Sequence, residues 1–105
     1  MSITIEAQPD FEERVRASFD RQAAMKTIGA ELTRVTPGEV EIELPYQPTP
    51  TQQHGFLHAG IVSTALDSAC GYAAFSVMPE DAAVLTIEFK VNMLAHGKGE
   101  RFLFR

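Results

Sequence analysis

The sequence predicts a single α+β domain, an antiparallel sheet packed on one long helix, and three features of the 105-residue chain predict it. The first is a twenty-residue stretch, Ala59 to Met78, in which small and apolar residues crowd every helical face and Asp67 alone is charged at neutral pH. A helix of that composition is expected to be covered nearly all round. The second is strict alternation in Val40, Ile42, Leu44 and Tyr46, and again in Leu85, Ile87, Phe89, Val91 and Met93, which is the period of half-buried strands. The third is size: at 45% hydrophobic residues the chain builds one core, so residues 1–105 are read as one domain.

Taken in order, Asp10 is a helix N-cap with Glu13 three residues on, and Phe11, Val15 and Phe19 recur at helical spacing. This amphipathic N-terminal helix is expected to run until Gly29 stops it. Ala30 to Thr36 is extended, Pro37 and Gly38 turn the chain, and EVEIELPY returns as a second strand. A polar loop from Gln47 to Leu57 leads into the apolar helix. After a turn at Pro79, Glu80 and Asp81, VLTIEFKVNML is expected to form a long strand with its apolar side on the helix and Thr86, Glu88, Lys90 and Asn92 facing away. His96 to Gly99 turn once more, and ERFLFR begins a further strand that the chain end leaves with an unpaired edge.

Composition excludes several functions. A net charge of −5 and a pI near 5.1 argue against a nucleic-acid surface, which needs concentrated positive charge. A single cysteine, Cys70, rules out an internal disulfide and every CxxC pattern, and within the apolar stretch it is expected to be a small core residue. The first sixteen residues, MSITIEAQPDFEERVR, hold no apolar segment behind a basic start, so a cytoplasmic protein is expected. Asp67 and the Gly, Ser and Thr content of the long stretch favour a buried helix over a membrane span.

A carboxylate placed two turns inside an apolar helix calls for a reason, because burial disfavours its charged form; it acts as base, nucleophile or fixed charge partner, or else it pairs with an Arg or Lys from another element. His58, Ala59 and Gly60 open the helix, and Asp67 follows His58 by nine positions. This constellation, with the PG turn, the polar loop and the strand TIEFKVNML, resembles the hotdog-fold thioesterases of the phenylacetate-degradation and 4-hydroxybenzoyl-CoA type over about Gly29 to Arg105. The family usually reads His-Gly-Gly where this chain has His-Ala-Gly. Ala59 keeps the backbone N–H that the family uses, so the change is tolerable.

The resemblance implies a hotdog fold, a curved antiparallel sheet wrapped around the buried helix, and an acyl-CoA or aryl-CoA substrate with no metal and no cofactor. Members continue through further strands, so it also implies a domain shortened at its C-terminus. Carried over by position, the acid or nucleophile falls on Asp67, the oxyanion donor on the N–H of Ala59 beside Gly60, and the loop amide on Gln52, with Gln53 one residue away. A thioester carbonyl gathers negative charge on oxygen under attack, which a helix N-terminus is suited to hold. Asp67 either attacks the carbonyl or deprotonates a water, and Gln52 either holds that water or polarises the carbonyl. His58 either takes part or only caps the helix and orients the loop. Gly71 matches a position where relatives carry a hydroxyl, and Thr86 lies near a supporting Ser or Thr.

Around these, Phe56, Leu57, Tyr72 and Phe75 either line an acyl pocket or fill the core. Lys90, with His96, Lys98, Arg101 and Arg105, either meets coenzyme A phosphates or forms a solvated strand face. His54, His58 and His96 lack the spacing of a zinc site. Ala59 and Asp67 are eight residues apart, about 12 Å along a helix, too far to touch one carbon. If both act, a second copy supplies one of them, which predicts a homodimer, or a dimer-of-dimers tetramer, with sites between subunits. The rival readings are a hydratase or dehydratase on the same fold, a non-catalytic acyl-CoA binder, and a shortened inactive domain.

Overall fold

The computed structural model describes residues 6–105. Two short helices, α1 (Phe11–Arg21) and α2 (Ala23–Ile28), precede the strands β1 (Glu31–Thr36) and β2 (Glu39–Pro45), the long helix α3 (Ala59–Phe75) and the strand β3 (Arg101–Phe104). The strands form one antiparallel sheet in the order β1-β2-β3, so β2 is central. Along β2, Val40, Ile42 and Leu44 are buried and point at α3, as their alternation requires. With Val15, Phe19, Met25, Ala65, Ala69 and Phe104 they make one core, the α+β arrangement expected.

The N-terminal helix is two helices. Asp10 occupies the N-cap position but its carboxylate makes no cap hydrogen bond, so the expected capping box does not form. The helix breaks at Gln22, whose backbone is extended at φ −82° and ψ 95°, and α2 then runs to Gly29, the expected stop. Gly29 has φ 76°, a left-handed conformation that glycine adopts without a Cβ penalty, and its N–H donates to the Lys26 carbonyl. At the far end of α3, buried Ser76 accepts from Gly38 N–H at 2.8 Å and donates to Ala73 O at 2.7 Å, tying the helix terminus to the β1–β2 turn.

Three expectations are corrected. The helix α3 is not covered all round: it buries Ala65, Ser68, Ala69 and Tyr72, while Cys70 and Ala74 are exposed. Cys70 is therefore a surface thiol rather than a core residue. The segment Val84–Leu94, with its strong strand alternation, pairs with no strand among the described residues. Of its alternating apolar residues Leu85 is 88% and Ile87 94% exposed, while Thr86 between them faces Asp67 on α3. Alternation records which side of a strand needs covering; the ladder itself needs neighbours, and among the described residues β3 pairs only with β2.

Candidate functional site

The start of α3 is built by His58. Its backbone is extended, at φ −64° and ψ 133°, and its Nδ1 accepts a hydrogen bond from Gly60 N–H at 2.8 Å. An accepting Nδ1 places the ring proton of the neutral imidazole on Nε2. The imidazole thus caps the helix and satisfies one of its free donors, the capping role among the two expected. The Ala59 N–H has no hydrogen-bond partner among the described residues and lies in an exposed residue at the positive end of the helix.

Gln52 shapes the loop before it. Its side-chain Oε1 accepts from His54 N–H at 2.7 Å and from Phe56 N–H at 3.1 Å, while its backbone N–H donates to Phe56 O at 2.9 Å. With Oε1 held by two donors, the Nε2 amide hydrogens are the free part of the group. Phe56 stacks on His96 with ring centroids 4.1 Å apart. Gln52, Phe56, Ala59 and His96 share the wall of a cavity of about 620 Å3.

Asp67 stands elsewhere. The Thr86 hydroxyl donates to its Oδ1 at 2.7 Å, and Asp67, Ser68, Gly71, Tyr72 and Thr86 line a second cavity of about 790 Å3 between α1, α3 and the start of the unpaired segment. The carboxylate is half-buried rather than enclosed, and it forms no ion pair among the described residues. One oxygen is held by Thr86, and the other has no hydrogen-bond partner among the described residues.

Sequence-expected site residues therefore divide into two groups. Gln52, Phe56 and Ala59 face one cavity; Asp67, Gly71 and Thr86 face the other. His58 and Gly60 form the helix cap and line neither. Lys90 is exposed and lines neither cavity. Of the basic residues grouped with it, Arg101 pairs with Glu43 at 3.3 Å and Arg105 with Glu41 at 3.4 Å, as a solvated strand face does. Among the described residues no three His, Cys, Asp or Glu side chains group to hold a metal ion, and no helix is long and apolar enough to cross a membrane.

The N-terminal helix was not expected to contribute, yet Arg14, Ser18, Arg21 and Gln22 form one wall of the Asp67 cavity. Gln22 Nε2 donates to Tyr72 Oη at 3.0 Å, Ser68 Oγ donates to Gln22 Oε1 at 3.0 Å, and Ser18 Oγ lies 3.2 Å from Tyr72 Oη. The signal was present: Arg14, Ser18 and Arg21 fall at i, i+4 and i+7, a polar stripe on a helix whose apolar stripe is separate.

No protein-family model matches the sequence. The chain superposes on the crystal structure of a thioesterase family protein from Silicibacter pomeroyi with a TM-score of 0.86 and 62% identity, covering 89% of this chain and 68% of that one. The chain belongs to the thioesterase family. The PaaI protein of the phenylacetic acid degradation operon of E. coli shares the fold at a TM-score of 0.79 and 16% identity, over 93% of this chain and 70% of that one. The BH2602 protein of Bacillus halodurans, crystallised with CoA, shares it at 0.66 and 22% identity, over 95% and 74%. The architecture is the hotdog fold. A protein of Halobacterium salinarum named a candidate esterase is 28% identical over 91 residues, which are 82% of this chain and 60% of that protein. The chain thus spans less than two thirds of that relative's length.

Proposed function

We propose that this chain is one hotdog domain of a cytoplasmic acyl-CoA or aryl-CoA thioesterase that acts as a homo-oligomer with each site shared between two copies. The observation that carries the reading is the separation of the site's halves: an oriented carboxylate in one cavity, and a free helix-terminal N–H with a free amide donor in the other. The distance along α3 from Ala59 to Asp67 is about 12 Å, so one thioester carbon cannot meet both within one copy. A two-fold axis that sets Asp67 of one copy against the helix start of another makes two complete sites. The family membership, and the CoA bound to a protein of the same fold, support an acyl-CoA as the substrate class.

In such a site the free oxygen of Asp67 attacks the thioester carbonyl or takes a proton from a water that attacks it. Either way a carbon–oxygen bond forms and the carbonyl electron pair moves onto oxygen. The Ala59 N–H and the Gln52 Nε2 hydrogens are the donors that meet this oxyanion. Because Gln52 Oε1 already accepts from the loop backbone, Gln52 polarises the carbonyl through its Nε2 hydrogens rather than holding the water through its oxygen. Collapse of the alkoxide breaks the carbon–sulfur bond and releases the thiolate, which takes up a proton. On the nucleophilic route a water then opens the mixed anhydride and regenerates Asp67.

The test is release of free thiol from a panel of acyl- and aryl-CoA thioesters, phenylacetyl-CoA included, by the wild type and by Asp67→Ala. Thiol release that the substitution abolishes supports the reading; release unchanged in Asp67→Ala defeats it. Binding of the same thioesters without turnover by a folded oligomer supports the second reading, an acyl-CoA-binding domain. The segment that carries Thr86 favours it, because the hydrogen bond that orients Asp67 comes from a segment with no strand neighbour among the described residues.

A further inference from the structure

The Asp67 cavity has a cationic wall that hydrolysis of a neutral acyl group does not use. Arg14 and Arg21 both line it, and neither forms an ion pair among the described residues. Arg14 is held in place from two sides: its Cζ lies 4.8 Å from the centroid of the Phe75 ring, and its Nη2 donates to Pro79 O at 3.2 Å. Its Nη1 is buried with no hydrogen-bond partner among the described residues. A buried donor left unmatched is costly, and a fixed guanidinium is the group best matched to a carboxylate. Glu80, exposed on the same cavity, forms no ion pair with either arginine among the described residues.

We infer that the acyl group this site takes ends in a carboxylate, which Arg14 receives with Arg21 in support. The inference rests on the thioesterase reading, with the carbonyl carbon beside Asp67. Arg14 stacks on Phe75, eight residues further along α3 than Asp67 and so about 12 Å away along the axis. An acyl chain of medium length spans the interval once its two ends stand at contact distance. Gly71, Ala82, Ala83 and Val84 give the same cavity apolar walls for the methylenes. Beside them Ser18, Gln22, Ser68 and Tyr72 hydrogen-bond one another, so the guanidinium donors of this wall without a partner among the described residues are those of Arg21 and the Nη1 of Arg14. Coenzyme A phosphates are the other anions within a substrate, but they are bulky and strongly hydrated, and the half-buried Arg14 between Phe75 and Pro79 suits a slim planar anion.

The experiment is calorimetric binding of the non-hydrolysable thioether analogues of suberoyl-CoA and octanoyl-CoA, which differ by the terminal carboxylate, to wild-type protein, Arg14→Gln and Arg21→Gln. The wild type is expected to prefer the carboxylate ligand about tenfold, and Arg14→Gln to bring the ratio to about one. Arg21→Gln, at an exposed position, is expected to reduce the ratio by a smaller factor and guards against a folding defect in Arg14→Gln. Equal affinities in the wild type overturn the inference, as does a preference that survives both substitutions. The matching pantetheine thioethers, which lack the nucleotide, form the second arm. If Arg14→Gln weakens both CoA ligands equally and neither pantetheine ligand, the guanidinium reads phosphate and the inference fails. Asp67-dependent hydrolysis of octanoyl-CoA with no carboxylate preference defeats this inference alone. A carboxylate preference in binding with no hydrolysis of any thioester defeats the thioesterase reading alone.

Discussion

The Thr86 hydroxyl donates to Asp67 Oδ1 at 2.7 Å, nineteen residues away along the chain. The bond joins the half-buried carboxylate of α3 to the one polar side chain that the unpaired segment offers it. A carboxylate on a helix has freedom about two side-chain torsions, and a charge-assisted hydrogen bond to one oxygen sets the direction of the other.

Replacing Thr86 by Val removes that bond while keeping the shape of the side chain. On the thioesterase reading kcat falls about tenfold or more, from the roughly 1.5–3 kcal/mol that a hydrogen bond to a charged group contributes, with little change in KM. Thr86→Ser restores most of it. Steady-state kinetics on all three proteins checks this, and equal kcat in Thr86→Val shows that the contact does not orient the reacting group.

His58 caps α3 through Nδ1, so His58→Ala should cost about 1 kcal/mol of stability. For a domain of this size that lowers the melting temperature by about 4–8 °C. His58→Asn, whose side-chain oxygen can accept from the same backbone, should recover most of the loss. Thermal unfolding followed by circular dichroism separates the three, and an unchanged midpoint in His58→Ala removes the cap from the account.

The helix start and the core strands were legible in the sequence because their signals are local. Val40, Ile42 and Leu44 alternate and are buried, Gly29 stops a helix, and the polar loop ends where α3 begins. What was not legible depends on distant parts of the chain. The alternation of Leu85, Ile87 and Phe89 gave the right period, but a strand needs flanking backbone and none of the described residues supplies it. Cys70 sits in an apolar stretch, yet it faces outward because the sheet covers only one side of α3. The sequence pattern grouped Gln52, Ala59 and Asp67 by order, whereas the helix length divides them between two cavities, a division the spacing already contained. Arg14 and Gln22 were missed because their partners, Phe75, Tyr72 and Ser68, lie 46 or more residues away.

Leu85 and Ile87 project apolar side chains almost fully into solvent, which a lone folded chain has reason to cover. On the shared-site reading they are covered when copies assemble. The double substitution Leu85→Asp with Ile87→Asp should therefore shift the protein toward monomer in sedimentation velocity and reduce thiol release in the same samples. A wild type that sediments as a monomer at assay concentration and still turns over contradicts that reading.

The central claim, that each site draws Asp67 from one copy and the helix start and Gln52 from another, is tested most directly by complementation. Asp67→Ala and Gln52→Ala proteins, each inactive alone, are unfolded together, refolded as an equal mixture and assayed for thiol release. In a mixed dimer one site gathers both substitutions and the other gathers neither. With random pairing half the dimers are mixed, so activity should return to about a quarter of the wild-type value. A mixture as inactive as its components, with mixed dimers present by mass spectrometry, would contradict the shared site.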